Sequence, residues 1–276
     1  MHPVNHSNLI CPKEVFMQKR HTCLNTRFFF ACYMFFFLYL TVCGFADEKN
    51  ERISEIFEQG WALEGQMHLD LANLDKAEAL YEEAVRMAPD NEEAKWRLGE
   101  IIFKKAEEEK DKARRIKMVE RTVALAEESI AINPESVGGL YWAGTGYARL
   151  ADMSGILSAL KQVKLSKKYL HQAMETDENN RFAILSGVIL AAIYSEAPWP
   201  LKDMDQALKL AKWAVEKDPN LTIASLRLGK IYVADGKKDM AKKELERCLA
   251  IKKPMYVWDA ILYDWPGAKG VLEGIK

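Results

Sequence analysis

The chain has 276 residues, of which 29% are charged, and its formal net charge at pH 7 is −1. This near balance excludes the strongly basic surface with which proteins bind nucleic-acid phosphates. The length is sufficient for one domain of stacked helical repeats with a sizeable core.

The first 46 residues form a predicted export segment. Residues 28–46 are uncharged and rich in Phe, follow three basic residues and end in Gly44-Phe45-Ala46. This pattern is typical of a secretory signal peptide, so we expect cleavage after Ala46 and export to a bacterial periplasm. The run is also close to the roughly 20 residues that a membrane-spanning helix needs, which leaves a retained anchor facing the periplasm as an alternative.

A third alternative is a lipid anchor at Cys43, although Val42 stands where a lipoprotein signal has a small residue. The start residue stays open between Met1 and Met17, because the basic region before the apolar run is long. All of these alternatives export the chain, and any membrane association is expected only through this segment. The first 46 residues hold four Lys or Arg and one acid, so the mature chain is mildly acidic.

Beyond residue 46 the chain carries few residues that could perform chemistry. Cys248 is the only cysteine there, so no internal disulfide can form, and its helical position predicts a small buried thiol. His68 and His171 are the only histidines, and neither has a second ligand at zinc-binding spacing. The sequence also lacks nucleophile and dinucleotide-binding motifs, so we expect no catalytic residue, cofactor or metal.

From residue 51 the hydrophobic pattern predicts successive pairs of amphipathic helices. The first pair ends at Pro89, because proline has no backbone N–H to donate and its ring clashes with the preceding turn. The recurring small and aromatic positions of this pair are Trp61, Gly65, His68, Ala77, Tyr81 and Ala84.

The second and third pairs are longer than the first. A charged run at 104–121 lengthens the second pair, and we interpret it as a helix extension in solvent because its acids precede its bases at helical spacing. The Gly-rich stretch 138–147 opens the third pair. It does not match a phosphate-binding loop, since no Lys-Ser/Thr follows and no strand precedes it. Gly155 marks the predicted break between the helices of this pair.

The fourth pair is interrupted by Pro198-Trp199-Pro200, which predicts a loop. Trp199 would serve there either as a contact residue or as a lid on the core. The fifth pair occupies residues 222–254, with a break at Asp235-Gly236. Small residues at Gly229 and Ala241 predict a close approach of its two helices.

These pairs resemble tetratricopeptide repeats (TPRs), which are helical hairpins with a period of about 34 residues. The resemblance covers residues 51–254 and implies an all-α, right-handed TPR-like solenoid of about five hairpins. The aromatic segment 255–276 is expected to cap its end.

A narrower resemblance is to exported bacterial TPR proteins such as the TatT family, which accompanies TRAP (tripartite ATP-independent periplasmic) transporters. It is carried by the elongated second and third repeats, by Tyr141-Trp142, by the break at Gly155 and by the loop at Trp199. The resemblance implies a lipid anchor, a homotrimer, a protein partner and a channel for an apolar small ligand. The poor lipidation motif at Cys43 departs from that family.

We therefore predict non-catalytic recognition by a groove lined by the first helix of each pair. One hypothesis is a scaffold that docks a protein partner in a periplasmic transporter or envelope assembly, and the other is a carrier of an apolar small ligand. An open, charged groove favours the first hypothesis, and a closed apolar cavity of several hundred Å³ favours the second. The residues predicted to line the groove are Trp96, Glu100, Tyr141, Thr145, Arg149, Trp199 and Lys230.

Overall fold

The computed structural model describes residues 48–198 and 201–275. The predicted export segment with its cleavage point after Ala46, and the predicted groove residue Trp199, lie outside these described residues. The chain divides into two units, residues 1–52 and residues 53–276. Residues 48–52 of the first unit are helical, and the architecture below is that of the second unit.

Ten helices of the described chain form five hairpins. They are α1 (residues 53–64), α2 (Ala72–Met87), α3 (Glu92–Glu108), α4 (Lys112–Ile132), α5 (Val137–Met153), α6 (Ile156–Thr176), α7 (Arg181–Glu196), α8 (Met204–Lys217), α9 (Thr222–Ala234) and α10 (Lys238–Ala250). A terminal segment follows, made of α11 (Val257–Asp259), a π-helical turn (Ala260–Asp264) and α12 (Trp265–Gly274). The described residues contain no strand, which confirms the prediction of an all-α fold.

The hairpins stack as in a solenoid. Helices α3 and α4, α5 and α6, α7 and α8, and α9 and α10 pack as pairs, and the second helix of each pair also contacts the first helix of the next. The first helices further contact one another from α3 through α5 and α7 to α9. This is the arrangement in which first helices form the concave layer of a repeat array, and it confirms the predicted TPR-like solenoid.

Side-chain caps fix where several of these helices begin. Asn91, Asp111, Ser136 and Asp203 each accept a hydrogen bond from the backbone N–H three residues later, and Asn180 accepts one from the N–H two residues later. Each cap satisfies a backbone donor that has no partner inside the helix. These polar residues between successive helices thus fix where each helix begins and which of its faces meets the neighbouring helix.

Two of the predicted packing glycines lie at close helix–helix contacts. A Cβ atom at Gly144 would lie 2.6 Å from Leu170 Cγ, and one at Gly229 would lie 2.6 Å from Leu245 Cδ2. Both neighbours belong to the second helix of the same hairpin. At these positions glycine lets the two helices approach more closely than any larger residue would allow.

The first hairpin differs from the prediction. Helix α1 ends at residue 64, so Gly65 and His68 lie in the turn that follows instead of on the helix. This turn places Met67 in the core, where 1% of its surface is exposed. A Cβ atom at Gly65 would meet Trp258 at 3.3 Å, so the close neighbour of this glycine is the terminal segment.

Candidate functional site

A pocket of about 690 Å³ lies on the concave side of the solenoid. Helices α3, α5, α7 and α9 form its walls, together with the start of α6, the loop after α7 and the terminal segment. Most of its lining is apolar, with charged groups at defined points. The pocket is therefore built by the layer of first helices that the repeat pattern assigns to recognition.

Four of the predicted groove residues line this pocket, namely Glu100, Tyr141, Thr145 and Arg149. Trp96 and Lys230 do not line this pocket, and their place in a groove stays a prediction. Trp96 shares a face of α3 with Glu100, but Phe182 covers its ring at 5.1 Å and a Cβ at Gly138 would meet it at 2.7 Å. Lys230 is exposed one turn beyond Arg227, which does line the pocket. Trp199 lies outside the described residues.

An aromatic wall forms one side of the pocket. Tyr141 packs against Trp142 at 4.9 Å between ring centroids and stacks on Phe182 at 5.2 Å. Phe103 extends the wall, 5.4 Å from Trp142. Sequence reasoning missed Phe103, Trp142 and Phe182, although each is an aromatic residue on a first helix, which is the signal that could have identified them.

A buried ionic cluster lies at one end of the pocket. Lys104 Nζ lies 2.7 Å from Glu64 Oε1 and 4.0 Å from both Glu100 Oε1 and Asp259 Oδ1. Burial and the neighbouring Glu64 carboxylate raise the pKa of Glu100 to about 8. Burial opposes the charge of Lys104, but Asp259, Glu64 and Glu100 together raise its pKa above the ordinary value. The cluster holds more carboxyl groups than cations.

Asp264 is a second buried carboxyl group in the lining. It lies in the π-helical turn, is 3% exposed, and its Oδ2 accepts a 2.6 Å hydrogen bond from the Thr222 hydroxyl. Within residues 48–198 and 201–275, no Lys or Arg nitrogen comes within 4.0 Å of it. Burial raises the pKa of Asp264 to about 7, against the opposing hydrogen bond from Thr222. This carboxyl group is held in the pocket wall without an ion-pair partner.

The raised pKa of Asp264 predicts that the protein loses stability as the pH rises. Between its ordinary pKa of 3.8 and about 7, the unfolded chain has released this proton while the folded chain still holds it, so the free energy of unfolding falls. Asp264→Asn should therefore raise the free energy of unfolding by about 2–3 kcal/mol more at pH 8 than at pH 5. Urea unfolding at both pH values measures this difference, with the exposed Glu135→Gln as control. An equal gain at both pH values would contradict the assignment.

The open side of the pocket carries ion pairs and exposed apolar residues. Arg149 pairs with Glu107 and lies 3.6 Å from Asp152, and Arg227 pairs with Glu196. At the start of α6, Ile156 is 82% exposed and Leu160 46%, and both line the pocket. Leu157 beside them is 86% exposed. A continuous apolar surface thus runs from the interior of the pocket to solvent.

The terminal segment reaches across the concave side as well as covering the last hairpin. Ala268 of α12 packs with Leu226, Leu245 and Cys248 at the end of the solenoid. At the other end of the segment, Trp258 meets Trp61 of α1 edge-on at 5.2 Å. Tyr263 Oη donates a 2.5 Å hydrogen bond to Glu108 Oε1 of α3. The segment therefore joins the last hairpin to the first two and forms one wall of the pocket.

Other chemistry has little support in the described chain. Cys248 is fully buried, as predicted, and burial raises the pKa of its thiol to about 12. No group of three His, Cys, Asp or Glu side chains in the part of the chain that the structure describes is arranged to bind a metal ion. Among the same residues, no helix combines the length and the apolar character that crossing a membrane requires.

A sequence profile of the tetratricopeptide repeat matches residues 224–254. A second profile, described as regulator of microtubule dynamics protein 1-3, matches residues 62–188, which is less than half of the chain. A search of curated proteins finds no match.

Solved structures with the same fold include TTC0263, a thermophilic TPR protein of Thermus thermophilus. It is 17% identical, the match covers 80% of this chain and 99% of that one, and the TM-score is 0.61. YrrB, a TPR protein with an unusual peptide-binding site, is 20% identical over 76% of this chain and 88% of its own, with a TM-score of 0.44. MamA from Desulfovibrio magneticus RS-1 is 13% identical over 70% and 95%, with a TM-score of 0.45. Residues 224–254 match a tetratricopeptide repeat, and the stacked hairpins of the described chain have the fold of TPR proteins.

Proposed function

We propose that this protein is a non-catalytic binding protein whose ligand is a small molecule with an apolar body, held in the concave pocket. The observation that carries the proposal is a mostly apolar pocket of about 690 Å³ with the terminal segment as one wall. Small-molecule sites in proteins typically enclose about 300–1,000 Å³ and are lined by apolar and aromatic side chains with a few polar groups. An extended peptide would need a trough open along its length, whereas Tyr256, Asp259 and Tyr263 of the terminal segment line this pocket on one side.

The export signal predicted in residues 1–46 supports a location of this binding protein outside the cytoplasm. Together with the resemblance to the TatT family, it favours a component of a periplasmic transport system, either released into the periplasm or anchored to the membrane. The ligand of such a component would be passed between the pocket and a partner protein.

Protein docking is a second candidate function, and one observation favours it. Ile156 and Leu157 are 82% and 86% exposed at the rim of the pocket. Neighbouring apolar side chains on a surface often mark a protein contact. A partner that covered this rim would also control access to the pocket, so the two functions are compatible.

The neutral fluorescent probe N-phenyl-1-naphthylamine tests the pocket. We expect saturable 1:1 binding to the mature protein, with a rise in probe fluorescence as it leaves water. Ala148 lines the pocket, so Ala148→Trp should fill part of it and weaken binding at least tenfold. Ala131 is exposed and lies outside the lining, so Ala131→Trp is the matched control and should bind as the wild type does. Absence of saturable binding, or binding that Ala148→Trp leaves unchanged, would refute the proposal.

A further inference from the structure

The charged side chains that line the pocket are predominantly acidic. The acids are Glu100, Glu107, Asp152, Glu196, Asp259 and Asp264. The bases are Lys104, Arg149 and Arg227. A pocket of this composition presents more negative than positive charge to a bound molecule, and a low-dielectric apolar wall strengthens that field.

The basic residues of the lining are also already engaged with carboxylates. Lys104 pairs with Glu64 at 2.7 Å, Arg149 with Glu107 and Arg227 with Glu196. A fatty acid or a phosphate group entering the pocket would therefore have to displace a protein carboxylate from one of these pairs. Within the described chain, the lining offers an anionic head group no cation that is free of such a partner.

Two buried acids in the lining have no cation within hydrogen-bond distance among the described residues. Asp264 is 3% exposed and has the Thr222 hydroxyl as its hydrogen-bond donor. Glu100 is 5% exposed, and the nearest ammonium group, that of Lys104, is 4.0 Å away. A buried carboxylate without a close counter-ion is unfavourable. A cation brought in by a ligand would supply the missing partner.

The aromatic wall provides a second feature that attracts a cation. Tyr141, Trp142 and Phe182 line the pocket with their ring centroids 4.9–6.4 Å apart. The Arg181 guanidinium already lies 4.5 Å from the centroid of Phe182, so Tyr141 and Trp142 are the rings that remain for a ligand's cation. The face of an aromatic ring carries partial negative charge and binds ammonium groups, including quaternary ones that cannot donate hydrogen bonds. Acids and aromatic faces in one cavity form the combination with which proteins hold organic cations.

The remaining lining suits a hydrocarbon chain. Leu185, Ile189 and Ile193 lie along one side of α7 and all contribute to the pocket, and Ile156 and Leu160 continue the apolar surface to its open side. An aliphatic body would bury apolar area here at about 25 cal/mol per Å². The pocket thus has an acidic and aromatic part and an aliphatic part.

We infer that the ligand of this pocket is a hydrophobic cation, that is, an amine or quaternary ammonium group on an aliphatic or aromatic body. Its positive charge is stabilised by the electric field of the buried Glu100 and Asp264 carboxylates and by the aromatic wall, and its apolar body lies along α7. The inference rests on the proposed function and narrows it, because it specifies the charge of the molecule that the pocket selects.

Three probes with the same ten-carbon chain test the inference at pH 8: decyltrimethylammonium, decan-1-ol and decanoate, each below its aggregation threshold. Isothermal titration calorimetry on the mature protein should show the ammonium probe binding at least tenfold more tightly than the alcohol, and decanoate binding most weakly. Decanoate binding as tightly as the ammonium probe would overturn the inference. Equal binding of all three would also overturn it, while leaving the proposed apolar pocket intact. Failure of all three, together with the fluorescent probe, would overturn both.

Two variants test which residues give the pocket its preference for a positively charged ligand. Asp264→Asn and Glu100→Gln keep the shape of the side chain and remove its charge, so each should weaken binding of the ammonium probe by about tenfold and leave decan-1-ol binding unchanged. The exposed Glu135→Gln, outside the pocket, should change neither. Circular dichroism melting of each variant establishes that it is folded. If both folded variants keep the wild-type ratio of ammonium to alcohol affinity, the inference is wrong.

Discussion

Replacement of Trp258 by Ala should lower the free energy of unfolding by about 3–5 kcal/mol. Trp258 is 7% exposed and packs edge-on against Trp61 at 5.2 Å and Tyr256 at 5.5 Å. Loss of a buried indole leaves a cavity that the surrounding rings cannot fill. Urea unfolding followed by far-ultraviolet circular dichroism measures the loss.

The neighbouring Val257→Ala is the matched control, because Val257 is 43% exposed and its truncation should cost less than about 1 kcal/mol. Trp258→Ala should also weaken binding of the pocket probe at least tenfold, since Tyr256, Asp259 and Asp264 of the same segment line the pocket. A loss of stability no larger than that of Val257→Ala would show that the terminal segment does not pack across the concave side.

Gly144→Ala should destabilise the protein by about 2–3 kcal/mol, although alanine usually favours a helix. The added methyl group would lie 2.6 Å from Leu170 Cγ and 3.2 Å from the Ser166 carbonyl oxygen. The Leu170 side chain can rotate, but the backbone oxygen cannot retreat without moving α6 away from α5. Thermal and urea unfolding of the purified variant give the change in free energy.

Gly270→Ala is the matched control for this substitution. Gly270 lies in α12, and an added Cβ there would meet no atom within 4 Å. Relief of the entropic penalty of a helical glycine should make this variant equal to the wild type or more stable by about 0.5–1 kcal/mol. If the two variants behave alike, the close approach of α5 and α6 does not depend on Gly144.

Local patterns in the sequence were sufficient to predict the repeat architecture. Gly144 and Gly229 recur at the same place in their hairpins, and each lies against a leucine of the partner helix. Prolines and capping residues separate the hairpins. In a repeat array each unit packs on its neighbours in sequence, so short-range periodicity carries most of the information about the fold.

The pocket could be predicted only in part, because it depends on contacts between residues far apart in the chain. Helical spacing brought Tyr141, Thr145 and Arg149 to one face of α5, and all three line the pocket. The same spacing could not show that Phe182, from another repeat, covers Trp96. Nor could it show that the segment expected to cap the last repeat also supplies Asp264 to the pocket.

The path of the terminal segment bears on how this solenoid unfolds. In an open array each repeat interacts only with its neighbours. The two ends can therefore unfold independently, and the superhelix can extend along its axis. Here the contact between Trp258 and Trp61 and the hydrogen bond from Tyr263 to Glu108 tie the last hairpin to the first two. Neither end of the described repeat array can therefore unfold without losing a contact to the other end.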